Sequence, residues 1–177
     1  NVDHIILTLG DTEQTSREAW AKNHLGDRDS LDLVGEQQEL FDALKRLGKP
    51  ITVVLINGRP PTINKISIEA NAILEGWYLG EQGGNAVSDV LFGDVNPGGK
   101  LPVTFPRSVG QLPHTYNHKP SARRGYLFTE ATPLYPFGYG LSYSKFEIGA
   151  PKLSAPKISR SGTVSVSVSV KNVSNRT

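Results

Sequence analysis

Glu36-Gln37-Gln38-Glu39-Leu40-Phe41-Asp42-Ala43-Leu44-Lys45-Arg46-Leu47-Gly48-Lys49-Pro50-Ile51-Thr52-Val53-Val54-Leu55-Ile56 decides the fold. Leu40, Phe41, Leu44 and Leu47 fall on one face of a 3.6-residue repeat, so the first half reads as an amphipathic helix. Acids occupy its first turn and bases its last, which suits the helix dipole, and Gly48 stops it. Pro50 then introduces a run with no polar residue except Thr52, which reads as a strand buried on both faces. Upstream, Ile5-Ile6-Leu7-Thr8-Leu9 closed by Gly10 has the same look. Strand, helix and strand in that order imply a parallel crossover.

Downstream, residues 72–78 (Ala-Ile-Leu-Glu-Gly-Trp-Tyr) predict a third strand, residues 85–92 a helix ended by Gly93, and residues 101–105 a further strand. Asn96-Pro97-Gly98-Gly99 has the residue chemistry of a turn. The fold class expected is therefore α/β, a layered sandwich with a largely parallel sheet. Residues 106–133 carry several prolines and little periodicity, and predict an irregular surface wrap. Thr163-Val164-Ser165-Val166-Ser167-Val168-Ser169-Val170 alternates with period two, the pattern of a half-buried antiparallel strand. Such a strand belongs to an all-β sandwich, which needs roughly 100 residues. The expected division is an α/β domain at 1–146 and the first strands of a β-sandwich at 147–177. With no methionine anywhere, the 177 residues read as a piece of something longer.

Composition excludes several classes of function. Hydrophobic residues make up 37% and charged residues 20%, enough for a packed core. The 19 Lys and Arg residues are scattered among 17 acids, for a net charge of +2, so a nucleic-acid partner is not expected. There is no cysteine for disulfides, thiolate catalysis or metal ligation. The apolar runs fall far short of a membrane span.

In open α/β sheets, ligands meet the loops at the carboxyl ends of the strands. Three such loops are legible, at 10–35, 57–65 and 79–84. The first holds Asp11, Glu13, Glu18, Asp27 and Asp29, with Trp20 and His24 among them. A carboxyl group beside an indole can serve as a proton donor, because apolar cover favours its neutral form. From spacing alone, a solvated acidic loop is the better explanation. Gly80-Glu81-Gln82-Gly83-Gly84 lacks the spacing of a dinucleotide fingerprint, and Gly99-Lys100-Leu101 lacks the hydroxyl residue of a P-loop, so no nucleotide cofactor is expected. His114 and His118 stand four apart in a proline-flanked stretch without a carboxylate to complete a metal set, so no metal is expected either. Glu75 within a strand pattern is costly to bury alone, which predicts a structural ion pair.

Four segments together resemble glycoside hydrolase family three. They are Asn57-Gly58-Arg59-Pro60, Gly80-Glu81-Gln82-Gly83-Gly84, the run Gly93-Asp94-Val95-Asn96-Pro97-Gly98-Gly99-Lys100-Leu101-Pro102, and Pro136-Phe137-Gly138-Tyr139-Gly140-Leu141-Ser142-Tyr143. The resemblance implies a retaining exo-β-glycosidase, β-glucosidase first and β-xylosidase next, acting on a terminal β-linked sugar of an oligosaccharide or glycoside. It implies an N-terminal (β/α)8 barrel that supplies the nucleophilic aspartate, and a fibronectin-type-III-like module after the α/β domain. A periplasmic or secreted location also follows from the resemblance. The general acid/base carries over to Glu18, which precedes Ala19 and lies eight residues after Gly10. Asp27-Arg28 lies nine residues beyond Glu18, farther than in many relatives, so Glu13 is kept as the second candidate. Trp20 is the candidate wall of the sugar site. A non-catalytic carbohydrate-binding module of the same fold is the rival reading.

Overall fold

The computed structural model describes residues 2–16, 28–117 and 128–176. The chain forms two compact units, one from residues 1–87 and 100–139 and the other from 88–99 and 140–177.

The first unit is built on a parallel sheet of β1 (Ile5–Gly10), β2 (Ile51–Ile56) and β3 (Ala72–Glu75), in the order β1-β2-β3. The register runs from Ile5↔Ile51 to Gly10↔Ile56 on one side of β2, and Leu55 pairs Glu75 on the other. Between β1 and β2 lies helix α2 (Gln37–Lys45), after the short α1 (Glu13–Ser16); α3 (Asn64–Glu69) connects β2 to β3. Leu7, Leu9, Ile51, Val53 and Leu55 share one face of the sheet and pack with Phe41 of α2, Ile66 of α3 and Ile63.

Here the apolar patterning is only partly obeyed. β2 is buried almost throughout, as its sequence predicts. β1 instead alternates, with Leu7 and Leu9 inside and Ile6 51% exposed, because it is an edge strand covered on one face among the described residues. Helix α2 likewise buries Phe41 and, in part, Leu44, whereas Leu40 and Leu47 lie in the open.

Two expected strands are corrected. The third stops at Glu75 rather than 78, because Trp77 takes a left-handed backbone conformation with φ of 54°. Residues 101–105 do not join the sheet. They run loosely antiparallel to 134–139, with Leu101 N–H to Tyr139 O at 2.8 Å and Phe105 N–H to Tyr135 O at 2.9 Å. Pro102, Pro106, Pro133 and Pro136 have no N–H to donate, which breaks any longer ladder. Among the described residues, the wrap beyond it is irregular apart from one 3-10 turn at Val109–Gln111. It is pinned by the buried Gln111, whose amide donates to Glu130 O at 2.9 Å while its oxygen accepts from Arg107 N–H at 2.6 Å.

Helix α4 (Gly83–Phe92) matches the helix expected at 85–92 and leads into the second unit. There Asn96 of the predicted turn clasps the Ser142-Tyr143-Ser144 stretch. Its oxygen accepts from Ser142 Oγ at 3.0 Å and Tyr143 N–H at 2.9 Å, and its amide reaches Ser144 Oγ at 3.1 Å. The Tyr143 hydroxyl donates to Val90 O at 2.8 Å, and Arg176 lies over the Tyr143 ring. The alternating valines do not form one half-buried strand. They divide between β6 (Val166–Ser167), antiparallel to β5 (Lys152–Leu153), and β7 (Val170–Asn172), antiparallel to β4 (Phe146–Ile148). Val166 and Val170 are each 61% exposed, since a two-stranded ribbon has no second layer to cover either face.

Candidate functional site

The carboxyl ends of β1, β2 and β3 converge on one small polar cluster. Gly10 ends β1 with φ of 143°, and a Cβ there would sit 1.8 Å from Ile56 O, so only glycine lets the two strand ends meet. Asp11 follows at once. Its Oδ1 accepts the Gly58 N–H at 2.9 Å and the Tyr78 hydroxyl at 3.2 Å, tying β1 to the loops after β2 and β3. Ser16 Oγ lies 2.7 Å from the same Tyr78 oxygen. A chain of hydroxyls donating from Ser16 to Tyr78 to Asp11 satisfies every group in it. Partial burial pushes the Tyr78 phenol upward and the Asp11 charge adds to this, so the hydroxyl remains a donor.

Gly58 is required by the same crowding. A Cβ on it would lie 2.7 Å from the Tyr78 ring and 2.8 Å from Ser16 Oγ. On either side of it stand Asn57, fully buried with its amide on Arg59 O at 3.0 Å, and Arg59, which donates from Nη2 to Thr15 O at 3.2 Å. The Asn-Gly-Arg motif thus works as a shaped turn gripping residues 11–16.

Glu75 is the electrostatic anomaly of this face. Among the described residues Glu75 lacks the expected ion pair, and its carboxyl is held by a backbone donor, the Trp77 N–H at 2.9 Å from Oε1. Its Oε2 is shut off from solvent and has no hydrogen-bond partner among the described residues. Burial raises the carboxyl from 4.5 to about 7; the Trp77 N–H and the neighbouring Asn57 amide pull it back, and the Asp11 charge pushes it up again. Burial thus favours the protonated form of this carboxyl. That same Trp77 N–H contact supports a left-handed tryptophan, a conformation costing about 1–3 kcal/mol for a bulky residue. The Trp77 ring packs edge-on against Phe105, centroids 5.8 Å apart.

Of the residues expected to carry chemistry, Glu13 is exposed and opens α1. Glu18 and Trp20 lie outside the described residues. The cluster of Asp11, Ser16, Gly58, Glu75 and Tyr78 was not foreseen as a unit. The advance signal was confined to Asp11 and Gly58, which lie just past predicted strands, whereas Glu75 and Tyr78 read as strand residues.

A family model described as the glycosyl hydrolase family 3 C-terminal domain matches residues 1–143. A β-xylosidase of Formosa agariphila is 49% identical over 176 residues, covering 97% of this chain and 24% of its own length. The periplasmic β-glucosidase of Salmonella typhimurium is 44% identical, over 98% of this chain and 23% of its own. Among solved structures, a β-glucosidase from Erythrobacter marinus superposes with a TM-score of 0.88 at 50% identity, covering 98% of this chain and 23% of that one. The chain therefore spans about a quarter of the length of the relatives it matches, all of them glycosidases. On the family model and these relatives together, the chain belongs to glycosyl hydrolase family 3 and carries that family's C-terminal α/β domain.

Proposed function

We propose that this chain is part of a retaining exo-β-glycosidase and contributes its general acid/base, Glu18, while an N-terminal (β/α)8 barrel of the same polypeptide contributes the nucleophilic aspartate. The supporting observation is the polar cluster at the strand ends. It anchors residues 11–16 where ligands meet open α/β sheets, and Glu18 follows Ser16 by two residues. Retention needs two carboxyl groups about 5–5.5 Å apart, one attacking the anomeric carbon and the other protonating the departing oxygen before activating water. Glu18 has the second role, with Glu13 the reserve, and Trp20 walls the sugar site. Residues 147–177 are the opening of a fibronectin-type-III-like module, a reading supported by the family model ending at 143.

The sugar is a terminal β-glucose in this proposal, in keeping with the β-glucosidases among the solved relatives. β-Xylose is the second reading, favoured by two 49%-identical relatives named as a β-xylosidase and a putative β-xylosidase. Comparing kcat/KM for aryl β-glucosides and β-xylosides on the complete enzyme decides between them. Glu18→Gln in that enzyme should slow hydrolysis of a natural disaccharide by roughly 10²–10⁴. Glu13→Gln should not. Full activity in Glu18→Gln would remove it from the role.

A further inference from the structure

We propose that Tyr78 is a positioning residue for the acid/base step, its hydroxyl fixing the direction in which the chain leaves β1 toward Glu18. The proposal rests on the reading of Glu18 given above. Tyr78 is not part of a core: it is 47% exposed, so its ring adds little by burial. Its hydroxyl nevertheless bridges both ends of the 11–16 segment, at 3.2 Å from Asp11 Oδ1 and 2.7 Å from Ser16 Oγ. Two costly local choices deliver it there. The chain turns at Trp77 through a left-handed conformation, held by Glu75, and Gly58 has no side chain because the phenol and Ser16 Oγ occupy that space. A residue that only covered the sheet would need neither. Arg59 also grips this segment, at Thr15 O, so the chain entering the acid/base stretch is held at three residues: Asp11, Thr15 and Ser16. A proton donor misplaced by about 1 Å can lose on the order of 10²-fold in rate, so a hydroxyl that sets its approach is worth keeping.

The test uses the complete enzyme and kcat/KM, which reports formation of the glycosyl-enzyme. Aglycones that need protonation are compared with a dinitrophenyl glycoside that does not. Tyr78→Phe should lose roughly 10–100-fold on alkyl glycosides or disaccharides and little on the dinitrophenyl substrate. In a Glu18→Gln background the same change should cost nothing further. Ser16→Ala, which removes the partner hydroxyl and leaves the ring in place, should show the same leaving-group selectivity, and Ser16→Thr should restore it. Equal losses on both substrates, an additive loss in the double variant, or an unaffected Tyr78→Phe would each overturn the proposal while leaving Glu18 in place. Full activity of Glu18→Gln would overturn both.

Discussion

Replacing Glu75 by Gln should erase a pH dependence that the native strand β3 carries. The carboxyl is raised from 4.5 to about 7 by burial, so the folded state holds its proton more tightly than the opened one. Its contribution is therefore complete below pH 4.5 and is lost as pH climbs through about 7. At about 1.4 kcal/mol for each tenfold change in proton affinity, the loss amounts to about 3 kcal/mol. The observable is amide hydrogen exchange of β3 in the complete enzyme, corrected for the intrinsic pH dependence of exchange. Between pH 4.5 and 8 the native opening constant should rise roughly 150-fold. Glu75→Gln keeps an oxygen for the Trp77 N–H and cannot ionise, so its opening constant should stay nearly level over the same range. Identical pH curves for the two proteins would refute the reasoning, because the proton would then reside elsewhere or the carboxyl would be charged in the fold. Asp11→Asn offers an internal check: removing that charge should move the native transition toward lower pH, since Asp11 is one of the groups raising Glu75.

Two further outcomes follow from packing. Gly58→Ala forces a Cβ against the Tyr78 ring and Ser16 Oγ. It should destabilise the strand-end cluster by about 1–3 kcal/mol, seen as faster exchange at residues 56–59, and depress activity on unactivated glycosides. Phe41→Ala removes a fully buried ring that packs against both strands and should cost about 3–5 kcal/mol, read as loss of exchange protection in β1 and β2. Unchanged protection in either variant would show that the contacts named here are not what holds the site or the sheet.

Much of the α/β domain was legible because its signals are local. The α2–β2 stretch declares itself through periodicity, dipole-compatible charges and a glycine stop, and the structure agrees to within two residues at each end. What escaped depended on partners remote in sequence. Helix α3 has six residues, too few for its period to stand out, and becomes visible only through the burial of Ile63 and Ile66. β3 reads as extended through Tyr78, and ends early because Glu75 captures the Trp77 N–H. The valines at 166–170 alternate as a covered strand would, but alternation reports which side faces the same way, not whether anything covers it. In the site, Asp11 was noted as one acid of several. Its partnership with Tyr78, 67 residues away, exists only once parallel pairing has brought the strand ends level. Glu18 and Trp20 were reached through family likeness, and no periodicity in the chain points to either.

The parallel ladder also acts as a ruler for the mouth above it. Because Gly10 stands opposite Ile56 after six rungs in step, Asp11 arrives level with Gly58. One residue inserted in β1 would carry Asp11 about 3.3 Å onward and turn it to the opposite side of the sheet. Length changes between the strands leave that alignment alone. Anyone grafting a new loop onto this scaffold can therefore lengthen the connections beyond the clasped residues 11–16, 57–59 and 75–78, provided the number of rungs is left untouched.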